Sequence, residues 1–230
     1  MKKALIIIPA YNEEKNLPIV IEEINKKTSN FDYIIINDCS TDDTENLCKK
    51  RNYNVINLPI NLGIGGGVQT GYLYARKYEY EYAVQFDGDG QHEADYLEKM
   101  LNEIKKEEYD MIIGSRFLEK EGFQSTKLRR TGINILSIII RLFNKEEIRD
   151  VTSGLRIVNK KLIKEFCEYY PSDYPEPESI NYCLRKKYKI KEIPVIMYER
   201  REGQSSINYI KAIYYMIKVC LALIIDNLKY

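Results

Sequence analysis

The 230-residue sequence lacks a net charge of either sign, because 35 Lys and Arg side chains stand against 34 Asp and Glu side chains. Proteins that bind nucleic acid through their overall field are strongly basic, so nucleic-acid binding of that kind is excluded. With 44% hydrophobic residues the chain can bury a core, and extended disorder is excluded too. One large domain or two small ones are expected, and specificity must come from a local site.

Cysteine pairs are missing as well. The five cysteines are an odd number, and no two of them are spaced as CxxC. This pattern argues against a disulfide framework and against a thiolate zinc site, and it is typical of the reducing cytoplasm.

The sequence also has no apolar run long enough to cross a bilayer. Residues 4–8 follow two lysines, but Pro9 and the polar residues after it end this run well short of a signal peptide, so export is not expected. Near the other end, Lys211 and Lys218 interrupt the apolar residues 209–225. A helix over residues 207–228 is expected instead, lying at a membrane interface or packing on the domain or on a second subunit.

Short β-branched runs alternate with amphipathic segments along the first half of the chain. The runs predict strands at residues 5–8, 33–36, 54–57, 82–86 and 110–114. The intervening segments predict helices around residues 19–24, from a cap at Thr41, and over residues 68–78 and 93–105. This order predicts a mostly parallel α/β sheet flanked by helices, with ligands at the carboxyl ends of the strands.

After Arg116 the pattern changes and a second half begins. It predicts a helix around residues 133–143, a strand within 150–158, a helix from the turn at 174–178 to Lys187, and an extended run over 190–198. The basic side chains of Lys127, Arg129 and Arg130 precede the first of these helices. They are expected either to hold an acceptor phosphate near a bilayer surface or to form a solvated face.

Two carboxylates and a carboxamide follow the strand predicted at residues 82–86. Asp87, Asp89 and Gln91 carry the hard oxygen ligands that suit Mg²⁺ or Mn²⁺, which keep waters and take substrate phosphates as further ligands. The alternative is an acidic turn that caps the next helix. A calcium loop is rejected, because His92 stands where the EF-hand turn requires Gly and a strand precedes the loop.

Glycines are concentrated at residues 63–71. They form no dinucleotide-binding fingerprint, because Val68 stands where the third Gly belongs, and no Walker A motif, because Tyr72 and Leu73 replace its Lys and Ser/Thr. NAD binding and ATP hydrolysis are therefore disfavoured. The segment is expected to be a loop where the backbone approaches a ligand, or a tight turn into a helix.

Seven motifs occur in the order typical of family 2 glycosyltransferases. They are IPAYNE at residues 8–13, NDCSTD at 37–42, NLG at 61–63 with Gly71, DGDGQH at 87–92, GSRF at 114–117, DVTSGLR at 150–156 and RREGQS at 200–205. The chain resembles this family over about residues 4–206. Within the family it is similar to the branch of dolichyl-phosphate mannosyltransferase and of bacterial enzymes that load sugars onto polyprenyl phosphate.

The resemblance implies a GT-A fold of residues 1–206, in which a nucleotide-sugar half (1–116) and an acceptor half (117–206) share one sheet, followed by an amphipathic helix at 207–230. It implies an inverting, metal-dependent transfer from a nucleoside-diphosphate sugar to polyprenyl phosphate at the inner face of the cell membrane, in cell-surface glycan synthesis. A UDP-sugar is the favoured donor and GDP-mannose the other. A homo-oligomer through the last helix and an integral membrane partner are further expectations.

The resemblance also implies roles for single residues. The nucleotide-sugar pocket would be lined by Pro9, Tyr11, Glu13, Asp38, Gly63, Gly67, Asp87 and Gly88. The metal would be held by Asp87, Asp89 and Gln91. Sugar, diphosphate and acceptor would be bordered by Arg116, Asp150, Ser153 and Arg200, and Ser205 is expected to bind the acceptor. Arg129 and Arg130 of the basic stretch are expected to bind the acceptor as well. Arg200 has the alternative of a surface ion pair with Glu199.

The general base depends on the acceptor. A hydroxyl must lose a proton, and Glu176 and Glu178 stand where family members with hydroxyl acceptors keep an acidic base. A phosphate, with a second pKa of about 6, arrives already anionic. The two glutamates could instead act only on the dipole of the helix they begin. A saccharide acceptor and a catalytically silent nucleotide-sugar binding protein therefore stay open as alternatives.

The sequence departs from the family pattern at two positions. Asn37 and Cys39 stand where the family often has Asp and Gly. The first departure is expected to weaken a secondary contact to the base. The second requires a residue with a Cβ to fit a turn that Gly often serves.

Overall fold

A computed structural model describes residues 3–119, 121–198 and 209–228, with the backbone alone for residues 127–128 and 209–213. Its strands are β1 (Ala4–Ala10), β2 (Phe31–Asn37), β3 (Val55–Asn57), β4 (Tyr82–Gln85), β5 (Met111–Ser115), β6 (Arg156–Asn159) and β7 (Ile190–Pro194). Its helices are α1 (Leu17–Lys27), α2 (Thr44–Arg51), α3 (Gly63–Lys77), α4 (Asp95–Ile104), α5 (Lys127–Asn144), α6 (Lys160–Glu168), α7 (Pro175–Arg185) and α8 (Tyr209–Leu228).

All these strands join one sheet in the order β3-β2-β1-β4-β6-β5-β7. The neighbours are parallel except at β6, which runs antiparallel to both β4 and β5. The mostly parallel α/β sheet that the sequence predicts is therefore confirmed. Since β6 runs against β4, its first residue, Arg156, pairs with the last residue of β4, Gln85, and the chain before β6 reaches the sheet at the edge where β4 ends.

The sheet is covered on both faces, as its buried, β-branched strands require. Alternate residues of β1 point to opposite sides. Leu5 and Ile7 pack with Tyr72 of α3 in one cluster, whereas Ile6 and Ile8 pack on α1 and α4 in the other. The first cluster also includes Val219 and Leu223 of α8, so the C-terminal helix shares the core of the sheet domain. Among the described residues, no helix is long and apolar enough to cross a membrane.

The expectation for the glycine-rich segment was wrong. Residues 63–71 are neither a loop nor a turn before a helix, because α3 begins at Gly63 and contains them. A Cβ at Gly71 would collide with the Ile7 side chain, and a Cβ at Gly65 would collide with the backbone of residues 171–172. The glycines thus allow α3 to lie close against β1 and the chain before α7.

Other local expectations also need correction. Thr41 does not cap α2, which begins at Thr44, because the backbone N–H groups of Thr41 and Asp42 donate to Asn12 Oδ1 at 2.8 and 3.3 Å. The strand expected within residues 150–158 covers only Arg156–Asn159. Helix α6 was not predicted; the side chain of Asn159 begins it by accepting bonds from two N–H groups of its first turn.

Candidate functional site

The segment that we call the acidic loop, residues 87–92, follows β4 at the carboxyl edge of the sheet. The Asp87 side chain is 28% exposed, with Oδ1 accepting a bond from Gln85 Nε2 and Oδ2 lying near His92 Nε2, both at 3.4 Å. Burial alone raises the pKa of Asp87, but His92, Gln85 and the charge of Arg156 together hold it below its usual value. The carboxyl is therefore ionised at neutral pH and suited to a cation.

Asp89 and Gln91 complete the loop. Oδ1 of Asp89 accepts a bond from the N–H of Gln91 at 3.2 Å, across a turn in which Gly90 has φ +73°. The amide nitrogen of Gln91 donates to the Tyr198 carbonyl at 3.0 Å, which ties the loop to the chain after β7. The alternative of a turn that caps the next helix finds no support. Helix α4 begins at Asp95, and its N-cap residue, Ala94, makes no side-chain capping hydrogen bond.

The donor set fits Mg²⁺ or Mn²⁺ in a site that substrate completes. Within residues 3–119, 121–198 and 209–228 no group of three or more His, Cys, Asp and Glu side chains could hold a metal. Mg²⁺ in phosphate-binding sites commonly takes one or two carboxylates, with waters and substrate phosphates as its other ligands. Asp87 and Asp89 provide such a pair of hard oxygen ligands.

A buried polar layer beneath Asp87 was not assigned from the sequence. Gln85 Nε2 donates to Glu176 Oε1 at 3.3 Å as well as to Asp87. The other amide atom of Gln85, Oε1, accepts a bond from the Tyr170 hydroxyl at 3.4 Å. Arg156 is fully buried and donates to the Glu176 carbonyl at 3.3 Å. A Cβ at Gly154 would collide with the Asp87 carboxylate. The available signals were a Gln at the end of an apolar strand and the last residues of the DVTSGLR motif.

The two candidate bases on α7 point to different surroundings. Glu176 shares Gln85 with Asp87; burial and Asp87 raise its pKa, while Arg156 opposes them. Glu178 faces Asp226 and Asp173, and burial with these two carboxylates raises its pKa to about 7. Glu176 is therefore the one that the fold brings beside Asp87.

Arg116 and Asp150 form a buried ion pair. Arg116 Nε lies 2.7 Å from Asp150 Oδ2, its Nη2 lies 2.6 Å from Oδ1, and the side chains are 5% and 0% exposed. The backbone N–H of Arg116 also donates to Asp150, at 3.0 Å. The pair predicted to border the substrates is thus joined, and Asp150 fixes the guanidinium in place.

The Arg116 guanidinium lies 5.0 Å from the centre of the Phe117 ring, which Arg130 of α5 also contacts. Arg129 precedes Arg130 in the first turn of that helix. Desolvation by the surrounding protein, and then the charge of Arg116, lower the pKa of Arg129. Desolvation also lowers the pKa of Arg130; the charge of Asp150 acts to raise that pKa, and the charge of Arg116 acts to lower it. The Arg130 guanidinium lies 3.2 Å from the centre of the Phe117 ring, and its Nη1 is buried without a hydrogen-bond partner among the described residues. We call Arg116, Arg129 and Arg130 the arginine cluster; its excess of cations suits an anionic ligand.

Asp38 links three elements at the carboxyl edge of the sheet. Its N–H donates to the Ala10 carbonyl at 2.9 Å, and its Oδ1 accepts from the N–H of Leu62, the N-cap of α3, at 2.7 Å. Cys39 has φ +58°, which agrees with a position that Gly often serves. Asn37 is bonded to Asn57 at 2.8 Å, so its amide is engaged within the protein.

The remaining predicted pocket residues lie along the same edge. Pro9 packs between Gly67 and Gly88, whose added Cβ atoms would lie 4.0 Å from its Cβ and 3.1 Å from its carbonyl oxygen. Tyr11 is 46% exposed, whereas Glu13 is buried and accepts from Asn16 at 2.6 Å.

Four predicted residues remain, two of them among the described residues. Gly63 begins α3 with φ +74°, and its N–H donates to Asn61 Oδ1 at 3.1 Å. Ser153 is buried, and its carbonyl accepts a bond from Arg156. Arg200 and Ser205 lie outside the described residues.

Known proteins resemble the chain in sequence and in fold. A UDP-N-acetylglucosamine–dolichyl-phosphate N-acetylglucosaminyltransferase of Methanococcus voltae is 30% identical over 215 residues, which cover 84% of this chain and 85% of the relative. An undecaprenyl-phosphate mannosyltransferase of Micrococcus luteus is 24% identical over 221 residues, covering 90% and 88%. Glucosyl-3-phosphoglycerate synthase from Mycobacterium tuberculosis, crystallised with Mn²⁺, UDP and glucosyl-3-phosphoglycerate, has a TM-score of 0.73 at 14% identity, covering 98% of this chain and 80% of that one.

The structural likeness at this identity concerns the fold alone, and the GT-A fold implied by the motifs is confirmed. The sequence profile described as Glycosyl transferase family 2 matches residues 5–167. This range includes the acidic loop and extends from β1 to β6. The chain therefore belongs to glycosyl transferase family 2.

Proposed function

We propose that this protein is a metal-dependent, inverting glycosyltransferase that transfers a sugar from a nucleoside-diphosphate sugar to polyprenyl phosphate, in cell-surface glycan synthesis. The observation that carries the choice of acceptor is the arginine cluster, because guanidinium groups bind phosphate through charge-assisted hydrogen bonds. The names of the two relatives described above, which specify dolichyl phosphate and undecaprenyl phosphate, support the same class of acceptor.

We assign the donor to residues 1–116, where Asp38 would bind the base at the start of α3. The other residues proposed for this pocket are Pro9, Tyr11, Glu13, Gly63, Gly67, Asp87 and Gly88. One relative is named for UDP-N-acetylglucosamine and the other is a mannosyltransferase, so the names do not agree on the sugar. A UDP-sugar remains the favoured donor and GDP-mannose the other.

Asp87 and Asp89, with Gln91 as a further contact, would hold Mg²⁺ or Mn²⁺. When bound, such an ion neutralises the charge that develops on the leaving diphosphate. Gln85 and His92 orient the Asp87 carboxylate for this role, and Gly154 leaves room for it. Arg200 is proposed to add a positive charge to the diphosphate.

We assign the acceptor to residues 117–206 together with Arg116, the last residue of the donor half. The arginine cluster would bind its phosphate, with Asp150 holding Arg116 in place and with Ser153 and Ser205 at its border. An acceptor oxygen then attacks the anomeric carbon opposite the diphosphate; the new C–O bond forms while the bond to the nucleoside diphosphate breaks. No proton has to be removed, because the phosphate is already anionic.

A saccharide hydroxyl is the second candidate acceptor. The observation in its favour is Glu176, a half-buried side chain that shares Gln85 with Asp87 and whose pKa is raised, as suits a general base. Glu176→Gln should abolish transfer to a hydroxyl while leaving transfer to a phosphate within about tenfold. Glu168→Gln, a substitution at an exposed glutamate, is the matched control.

We also propose that the protein acts at the inner, cytoplasmic face of the membrane. Helices α5 and α8 pack on each other, and each leaves a stripe of apolar side chains exposed. The exposed side chains are Ile135, Ile138 and Leu142 on α5 and Ile217, Leu221, Ile225 and Leu228 on α8. Such amphipathic helices bind in the plane of the bilayer interface.

Flotation with anionic phospholipid vesicles tests this surface. Leu221→Asp should reduce vesicle binding, whereas Leu73→Asp, at an exposed leucine of α3, should not. Equal binding of both variants would reject the surface. A dimer mass in light scattering for the wild-type protein and for Leu73→Asp, with a monomer mass for Leu221→Asp, would indicate that a second subunit covers this surface instead. Binding restored only by membranes that contain other proteins would indicate an integral membrane partner.

The proposed reaction is tested by a donor screen with Mn²⁺ or Mg²⁺, measuring nucleoside diphosphate release with and without short-chain polyprenyl phosphate in detergent. Release that depends on the lipid phosphate and yields a lipid-linked sugar is the expected result, and the active donor identifies the nucleotide. Nucleoside diphosphate release that occurs only with saccharides would favour the hydroxyl acceptor instead. Donor binding without turnover on any acceptor would indicate a silent binding protein.

A further inference from the structure

The C-terminal helix reaches the acceptor side of the site, although the sequence suggests only a packing or membrane role for it. The Tyr215 ring of α8 stands edge-on to the Tyr174 ring, with centroids 4.4 Å apart and planes at 89°. Tyr174 is the N-cap of α7 and precedes Glu176 by two residues. Tyr215 therefore packs against the N-terminus of α7, whose first turn contains Glu176.

The neighbouring residue of α8 fixes the other side of this contact. A Cβ at Gly132 of α5 would lie 2.8 Å from the Met216 sulfur and 2.7 Å from its terminal carbon, so the two helices touch there. Gly132 is three residues after Arg129, and residues three apart share a helix face. Residues 215–216 thus lie between α5, at a position three residues after Arg129, and the start of α7, which carries Glu176.

The electrostatics agree with this placement. Burial and then the nearby charge of Glu176 raise the pKa of the Tyr215 hydroxyl, whereas Arg129 opposes them. The influence is mutual, because Tyr215 also acts on the pKa of Arg129. The phenol accordingly keeps its proton at neutral pH, and a phenol with its proton is a hydrogen-bond donor.

We infer that Tyr215 is an acceptor-binding residue, whose hydroxyl donates a hydrogen bond to the anionic acceptor beside Arg129, so that α8 completes the acceptor site. This inference rests on the proposed function. It explains why a helix with an exposed apolar stripe also has a face buried in the core of the sheet domain: the same helix positions one donor for the acceptor headgroup.

The experiment compares Tyr215→Phe with Tyr214→Phe in the full chain. The first change keeps the ring that packs on Tyr174 and removes only the hydroxyl, while Tyr214 is 64% exposed on the same helix. Initial rates are measured against short-chain polyprenyl phosphate and, separately, against the donor. The affinity for the nucleoside diphosphate with Mn²⁺ is measured by calorimetry.

Tyr215→Phe should raise KM for the lipid phosphate about tenfold, as expected for the loss of a hydrogen bond to a charged group. Its donor KM and its nucleotide affinity should match those of the wild-type protein, and Tyr214→Phe should match in all respects. A KM unchanged in Tyr215→Phe overturns the inference and leaves the proposed function intact. Equal losses for donor and acceptor also overturn it, because they indicate a structural role. A wild-type protein that transfers nothing to polyprenyl phosphate overturns both proposals.

Discussion

The side of the site that we propose for the nucleotide and the side that we propose for the acceptor present their polar groups in opposite ways. On the nucleotide side, Asp38 is bonded to the backbone of two neighbouring elements, and Asn37 is bonded to Asn57. On the acceptor side, Arg116 is paired with Asp150, and Arg130 keeps a buried nitrogen without a partner among the described residues. Buried polar groups are normally satisfied, so the acceptor side is the one whose charges an anion would complete.

This difference predicts two kinds of recognition within one sheet. The nucleotide side is built by close packing and backbone hydrogen bonds. The acceptor side depends on charges that the fold holds in place, chiefly through Asp150. The acidic loop lies between them, because β4 ends between β1 and β6 in the sheet.

The largest expected effect is at this boundary. Asp89→Asn removes the charge of one proposed metal ligand and should lower kcat at least a hundredfold, because the leaving diphosphate loses charge stabilisation. Asp95→Asn, at an exposed position paired with Lys27, should retain activity. The measurement is sugar transfer at saturating donor and Mn²⁺. Full activity of Asp89→Asn with divalent ions chelated would contradict the metal mechanism.

The acceptor side should be the more sensitive to loss of a single charge. Asp150→Asn leaves the buried guanidinium of Arg116 without its counter-ion and should lower the free energy of unfolding by about 3–5 kcal/mol. Glu147→Gln, which disrupts an exposed pair with Arg149, should cost under about 1 kcal/mol. Urea denaturation compares the two. Equal losses would show that burial of the Arg116 pair has no special weight.

The nucleotide side should instead be sensitive to volume. Gly71→Ala forces a Cβ into Ile7 and should lower the free energy of unfolding by about 1–3 kcal/mol. Gly67→Ala meets only ordinary contacts at 4.0 Å in the same helix and should be neutral or stabilise by up to about 1 kcal/mol. Thermal unfolding separates them. A Gly67→Ala variant as unstable as Gly71→Ala would show that helix geometry, not the approach to β1, decides the effect.

The smallest effect concerns Glu178, beside the acceptor side. Its pKa is raised from 4.5 to about 7, so the folded protein binds more protons than the unfolded chain between these values, and stability falls as pH rises through that window. Glu178→Gln should remove this loss, which amounts to about 1 kcal/mol after solvent screening. The free energies of unfolding at pH 5 and pH 8 test it. An identical pH dependence in the variant would exclude Glu178 as the source.

Much of the site was predictable because it lies next to strand ends. Asp38 and Asp87 follow β-branched runs, β2 and β4, which flank β1 as parallel strands, so both residues lie at the same edge of the sheet. Glu176 and Glu178 could not be separated from the sequence, since both lie in the first turn of one helix. Which of them faces Asp87 is decided by how α7 rotates against β4 and β6. Gln85 and Arg156 went unassigned because their partners are distant in sequence.

By itself the sequence determined the alternation of strands and helices, the mostly parallel sheet, the acidic loop and the family, because these depend on local periodicity and on short motifs. Only the tertiary structure decided that residues 63–71 belong to a helix, that Arg116 is joined to Asp150, and that Tyr215 packs on Tyr174. Each of these depends on atoms far apart in the chain. Close packing and ion pairing become visible only when the sheet brings those atoms together.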